Sequence, residues 1–127
     1  MLFAVDTSTL IVLRELGWVD LCNQSGHLFV WPSSVTEELK RQKRKNENFL
    51  SLLATQVAIE HAPRQHLRIE EISQTDADVI AVAREQRITI LSEDILLRKK
   101  AERTGVSAIS LAFFLRSALS NWLLFKR

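Results

Sequence analysis

The chain has 127 residues, 46% of them apolar and 25% charged, with a formal net charge of +2. That length and mixture fit one globular domain, residues 1–127, able to bury its own core. A charge this small does not by itself demand a polyanionic partner, and the single cysteine, Cys22, excludes an internal disulfide and suits a reducing cytoplasm.

Leu2–Val5 reads as a first strand buried on both faces, and Met1 runs into it without the basic leader of a secretion signal. Ser8 to Leu16 reads as a helix, with Leu10, Leu13 and Leu16 in helical spacing and Gly17 interrupting it. Cys22, in the apolar context Val19-Asp20-Leu21-Cys22, reads as a buried, inert thiol. Leu28-Phe29-Val30-Trp31 is a second strand, ended by Pro32. Ser33 or Ser34 caps the next helix, and Ser34-Val35-Thr36-Glu37 has the spacing of a capping box. Lys40-Arg41-Gln42-Lys43-Arg44-Lys45 then puts five cations in six residues. Such a patch could hold nucleic-acid phosphates, or it could be a helix C-terminus whose cations complement the macrodipole. Asn48 to Glu60 predicts an amphipathic helix along Phe49, Leu52, Leu53, Gln56, Val57 and Glu60. Leu67–Ile72 alternates apolar and polar residues, which predicts a short strand near a sheet edge. Asp76 to Gln86 is a helix, Ile88–Leu91 a strand and Glu93 to Thr104 a helix, with Gly105 just past its end. Val106 to Ile109 is a last strand, followed by an apolar helix. Arg116, Ser117, Ser120 and Asn121 interrupt Ile109–Phe125, and a bilayer span needs ~20 nearly unbroken apolar residues, so no transmembrane segment is predicted. Short apolar runs alternating with helical patterns predict an α/β fold. The architecture expected is a three-layer α/β/α sandwich with a mostly parallel sheet of four or five strands.

Four acids stand out: Asp6, Glu38, Asp76 and Asp94. Asp6 follows the first strand, and Asp94 follows Ile88-Thr89-Ile90-Leu91 by three residues. Glu38 shares a helical stripe with Val35, Leu39 and Gln42, whereas Glu37 is placed to complete the capping box. Asp76 lies in line with Val79, Ile80 and Ala83, and Asp78 is turned roughly 200° away around the helix. Taken alone, Asp6 can be read as a helix cap, and Asp76 and Asp94 as first-turn acids favouring the helix dipole. Asp6, Asp76 and Asp94 fall at the carboxyl edge of the expected parallel sheet, where open α/β folds place their ligand crevice, and Glu38, one helical turn after the second strand, could reach it. Carboxylates converging there repel one another unless a hard cation with oxygen ligands compensates them. Magnesium held by acids, without histidine or cysteine ligands, suits phosphodiester chemistry. His27, His61 and His66 are scattered and read as surface or packing residues.

These residues also carry a family resemblance. Phe3-Ala4-Val5-Asp6-Thr7-Ser8 resembles the first motif of PIN-domain nucleases, and Pro32-Ser33-Ser34-Val35-Thr36-Glu37-Glu38-Leu39 the second. The third is similar to Ser73-Gln74-Thr75-Asp76-Ala77-Asp78-Val79-Ile80-Ala81-Val82-Ala83, and the fourth to Ile90-Leu91-Ser92-Glu93-Asp94, with serine where the family usually has threonine. The resemblance spans nearly the whole chain. It implies a PIN-like fold in which Asp6, Glu38, Asp76 and Asp94 ligate Mg²⁺ or Mn²⁺ and serve catalysis, supported by Ser8 and Ser92. Glu93 is the alternative fourth acid, and Asp94 is preferred. It also implies a cytoplasmic endoribonuclease that hydrolyses RNA phosphodiester bonds, the toxin of a toxin–antitoxin pair. Lys40, Arg41, Lys43 and Arg44 would meet the RNA.

Two other readings keep the same fold: an RNA-processing nuclease that is not a toxin, and a catalytically silent binding module. A response-regulator-type phosphoacceptor would want a lysine after the last strand, and Val106-Ser107-Ala108-Ile109-Ser110 has none. A haloacid-dehalogenase-type phosphatase would want a second aspartate two residues after Asp6, where Ser8 stands. Leu111, Phe114, Leu115, Ala118, Leu119 and Trp122 form a wide apolar face. It either packs on the sheet or serves as a homodimer seam or a groove for an antitoxin helix.

Overall fold

Short runs of branched and aromatic residues form the strands of a computed structural model that describes residues 1–17, 26–41 and 58–117. In chain order the elements are β1 (Leu2–Val5), α1 (Thr7–Glu15), β2 (Leu28–Trp31), α2 (Ser33–Arg41) and β3 (Ala58–Glu60). They continue with α3 (Gln74–Gln86), β4 (Thr89–Leu91), α4 (Ile95–Arg103) and β5 (Ala108–Ile109); residues 111–117 are helical. All five strands run parallel in the order β3-β2-β1-β4-β5. Phe3, Ala4 and Val5 are buried in succession, as are Phe29, Val30 and Trp31. Neighbouring strand residues point to opposite faces, so the sheet is covered on both sides. This is the three-layer α/β architecture, and no described helix is long and apolar enough to cross a membrane.

The strand order creates the crevice. From β1 the chain steps outward to β2 and β3, then returns past β1 to β4 and steps outward on the other side to β5. The connections leaving β1 and β4 therefore diverge over opposite halves of the sheet, which opens a gap at the carboxyl ends of these two strands. Register sets their ends level: Val5 pairs with Leu91 and Ala4 with Val30.

Helix α3 is the central support. Seven consecutive residues, Ala77 to Ala83, are buried, the signature of a helix enclosed on all sides. Val79, Ile80 and Ala83 pack into the core with Leu10 and Leu13 of α1, Val35 and Leu39 of α2, and Leu97 and Ala101 of α4. Ahead of α3, the irregular segment 61–73 is stitched along the helix. His61 bonds Gln86, the Arg64 and Gln65 amides donate to Glu85, His66 meets Asp78, and Gln74 donates to the Leu67 carbonyl.

Several expectations are corrected here. Leu67–Ile72 forms no strand; Leu67, Ile69 and Ile72 pack against the core from an irregular path, so the alternation reports burial without pairing. The predicted helix 48–60 ends instead in β3, because 58–60 pairs in parallel with β2; residues 48–57 lie outside the described set. The second helix starts at Ser33, and neither serine nor Glu37 builds the capping box: Ser34 Oγ donates to Asp78, and Glu37 pairs with Lys40 at 3.8 Å. Leu111 and Phe114 are core residues. Cys22, Ala118, Leu119 and Trp122 lie outside the described residues.

Ile90 is fully buried in β4 between β1 and β5. Ile90→Ala is expected to cost about 2–5 kcal/mol in urea unfolding; a loss below about 0.5 kcal/mol, the range of ordinary surface substitutions, would contradict this packing.

Candidate active site

Asp6 stands at the first turn out of β1. It occupies the N-cap position of α1 with extended backbone angles, yet its side chain makes no cap bond. Instead, Asp6 Oδ2 accepts hydrogen bonds from Ser8 Oγ and from Ser92 Oγ, each at 3.0 Å. Ser92 follows β4 directly, so one carboxylate oxygen ties together the two diverging connections. Asp6 is only 2% exposed, and its Oδ1 is buried with no hydrogen-bond partner among the described residues. A buried, unpaired carboxylate oxygen is costly.

The β4–α4 turn is fixed around that bond. Ser92 Oγ accepts from the Asp94 amide at 3.0 Å, the Ser92 carbonyl accepts from Arg98 Nη1 at 2.6 Å, and the Glu93 amide donates to Thr9 Oγ1 at 3.2 Å. Asp94 caps α4: its Oδ1 accepts from the Leu96 and Leu97 amides at 2.9 and 3.2 Å. Asp94 is thus the N-cap of α4 rather than the first-turn acid expected from a helix starting at Glu93, and the cap occupies one oxygen. Asp76 differs. The Ser73 hydroxyl caps α3 by accepting from the Asp76 amide at 3.1 Å.

Asp6, Glu38, Asp76 and Asp94 line one cavity of about 260 Å³, together with Thr7, Ser8, Ile11 and Ser73. Glu38 reaches it from α2 while Val35 and Leu39 of the same stripe enter the core. Glu37 and Glu93 are exposed and do not line it. Lys40 and Arg41 are exposed in the last turn of α2, just past Glu38; Lys43 and Arg44 lie outside the described residues.

Crowding shows in the electrostatics. Asp76 is pushed up to about 6, first by burial and then by the negative charges of Asp6, Asp94 and Glu38, with Ser73 pulling the other way. Among the described residues, no three His, Cys, Asp or Glu side chains form a ready-made direct ligand cage. Mg²⁺ does not require one, since it keeps several waters and takes one or two protein carboxylates. The orphaned Asp6 Oδ1 beside a carboxyl that resists ionisation fits a hydrated divalent ion, and Asp6, Glu38, Asp76 and Asp94 are the residues that would hold it.

Asp78 is an acid to which pattern reading gave no role. It is turned away from Asp76, as expected, but it is 4% exposed. Its Oδ1 is bonded to His66 Nδ1 and Gln74 Nε2 at 2.9 and 3.0 Å, and its Oδ2 to Ser34 Oγ at 2.9 Å. Burial works to raise this carboxyl, and the bonds from His66, Gln74 and Ser34 outweigh it and hold it below its ordinary value. The available signal was its place inside Ala77–Ala83, a run otherwise wholly apolar.

A family profile described as a PIN domain matches residues 2–126. The chain belongs to the PIN-domain family. The fold of this PIN domain is shared by solved structures. One is a PilT N-terminus domain protein from the hyperthermophilic archaeon Sulfolobus solfataricus P2, with a TM-score of 0.76 at 20% identity over 94% of each chain. Another is a domain of a functionally unknown protein from Methanocaldococcus jannaschii DSM 2661, with a TM-score of 0.64 at 20% identity over 87% of this chain and 90% of that one. No curated protein sequence matches significantly. PIN domains are generally nucleases and generally use divalent metal ions.

The Asp76 shift has a pH consequence of definite sign. Its folded value, about 6, lies above the ordinary 3.8, so between those values the folded state binds the proton more tightly. The contribution is therefore full below about pH 4 and is lost as pH rises through about 6. In EDTA the thermal midpoint is expected to fall across this window, and Asp76→Asn to flatten that part of the fall. An Asp76→Asn profile parallel to the wild type would contradict it.

Proposed function

We propose that this PIN domain is a metal-dependent endoribonuclease that hydrolyses RNA phosphodiester bonds, and that it is the toxin half of a toxin–antitoxin pair. The observation that carries the enzymatic part is the cavity that four acids line, with one Asp6 oxygen buried and without a hydrogen-bond partner among the described residues. Asp6, Glu38 and Asp76 hold the principal Mg²⁺ or Mn²⁺ in this reading, and Asp94 completes the site with the oxygen its cap leaves over. A divalent ion held there would supply Lewis acidity toward a water and the phosphate.

The protein's own contribution is placement. Ser8 and Ser92 anchor Asp6 Oδ2, which turns Oδ1 into the remaining donor. Such outer partners orient ligands and tune their affinity. Lys40 and Arg41, exposed beside Glu38, together with Lys43 and Arg44, contact RNA phosphates along the approach. The toxin assignment, the cytoplasmic location and the antitoxin partner rest on the motif resemblance. A homodimer is proposed from the exposed Phe113, next to the buried Phe114, on the last described helix. The presence of all four acids in one cavity argues against the silent-module reading, and the same assay decides it.

With Mg²⁺ or Mn²⁺, the purified chain is expected to cleave RNA internally, and EDTA to stop it. Ser92→Ala is expected to lower the rate about 10–100-fold, and Asp6→Asn to lower it further. Cleavage by Asp6→Asn at the wild-type rate, or full activity in EDTA, would remove the proposal.

A further inference from the structure

Glu38 and Asp76 belong to different helices, and nothing in the sheet hydrogen bonding fixes the distance between them. Glu38 lies on α2 and Asp76 on α3. A polar bond joins these two helices: Ser34 Oγ donates to Asp78 Oδ2 at 2.9 Å. Ser34 is one helical turn before Glu38, on the same side of α2, because residues four apart stack. Asp78 is two residues after Asp76.

We propose that Asp78 is a positioning residue, a latch that joins α2 to α3 through Ser34 and thereby sets how closely Glu38 approaches Asp76 across the cavity. The inference rests on the nuclease reading above and adds a residue that touches neither ion nor RNA.

Three features separate this latch from an ordinary buried contact. First, Asp78 is 4% exposed inside a helix otherwise buried by apolar residues, where a hydrophobic residue would satisfy packing at no desolvation cost. Second, its two oxygens divide the work. Oδ1 is held by Gln74 from the preceding turn of α3 and by His66 from the segment 61–73, while Oδ2 is given to α2 alone. The carboxylate is thus oriented from its own side before it meets the partner helix. Third, the latch lies within a turn of both acids, so loss of its bond is transmitted over a few ångströms of stiff helix. Glu38 and Asp76 repel one another, so a severed latch lets the helices relax apart.

The test compares Ser34→Ala, Ser34→Thr and Asp78→Asn in the full chain, with Gln86→Ala as a control. Gln86 is exposed, bonds His61 at the far end of α3 at 3.0 Å and does not line the cavity. The dissociation constant for Mn²⁺ is read from the free-ion electron paramagnetic signal, alongside the urea midpoint and RNA cleavage. Ser34→Ala and Asp78→Asn are expected to weaken Mn²⁺ binding about 10-fold or more, the scale of outer-shell losses. Ser34→Thr keeps the hydroxyl and is expected to restore affinity to within about twofold of wild type, and Gln86→Ala to leave it there. Folded Ser34→Ala that binds Mn²⁺ as tightly as wild type, or a loss no greater than that of Gln86→Ala, overturns the latch. Wild type that binds Mn²⁺ but leaves RNA intact overturns the nuclease reading alone; wild type that takes up no Mn²⁺ overturns both.

Discussion

Like charges gathered in a partly buried space are the constraint on which this molecule turns. Asp6, Glu38, Asp76 and Asp94 share one cavity, and burial together with the negative charges of the other three pushes Asp76 up to about 6. Nothing in the packing of the core requires this arrangement; a domain of this size gains stability from apolar burial and loses some by crowding carboxylates. Such a cost is retained where the site has work to do.

The parallel sheet makes the crowding possible. Its strand order places β1 and β4 side by side while sending their following connections to opposite halves, which is where ligand crevices open in α/β folds. The Ser92–Asp6 bond, 86 residues apart in sequence, closes the seam at the bottom of that crevice. Helix α3, enclosed on every side, delivers Asp76 to one wall and anchors α2 through Asp78 on the other. The scaffold and the site are thus the same set of contacts seen from two sides: apolar side chains fix where the helices lie, and short polar bonds fix which oxygens remain unspent.

Much of this was legible from residue order. The runs Leu2–Val5, Leu28–Trp31 and Ile88–Leu91 announced buried parallel strands because no polar residue interrupts their apolar faces except Thr89. The stripe Val35-Glu38-Leu39 separated Glu38 from Glu37, and the structure puts Glu38 at the cavity and Glu37 in solvent beside Lys40. Ser8 and Ser92 stood next to their acids, and both meet Asp6. What escaped was long-range or irregular. Alternation at Leu67–Ile72 looked like pairing, although the segment spends its polar groups on α3 and its apolar ones on the core. Ala58–Glu60 continued a helical pattern, and only the neighbouring edge of β2 makes it a strand. Asp78 could be seen to point away from Asp76, but its partners, Ser34 and His66, come from distant segments that helical geometry alone cannot bring into view.

The decisive measurement is a crystal structure of the chain soaked in Mn²⁺, with the ion located by its anomalous scattering. A peak is expected in the cavity in contact with Asp6 Oδ1 and held, directly or through water, by Asp76 and Glu38. A saturating soak with no peak there, or with Mn²⁺ bound only elsewhere on the surface, would contradict it.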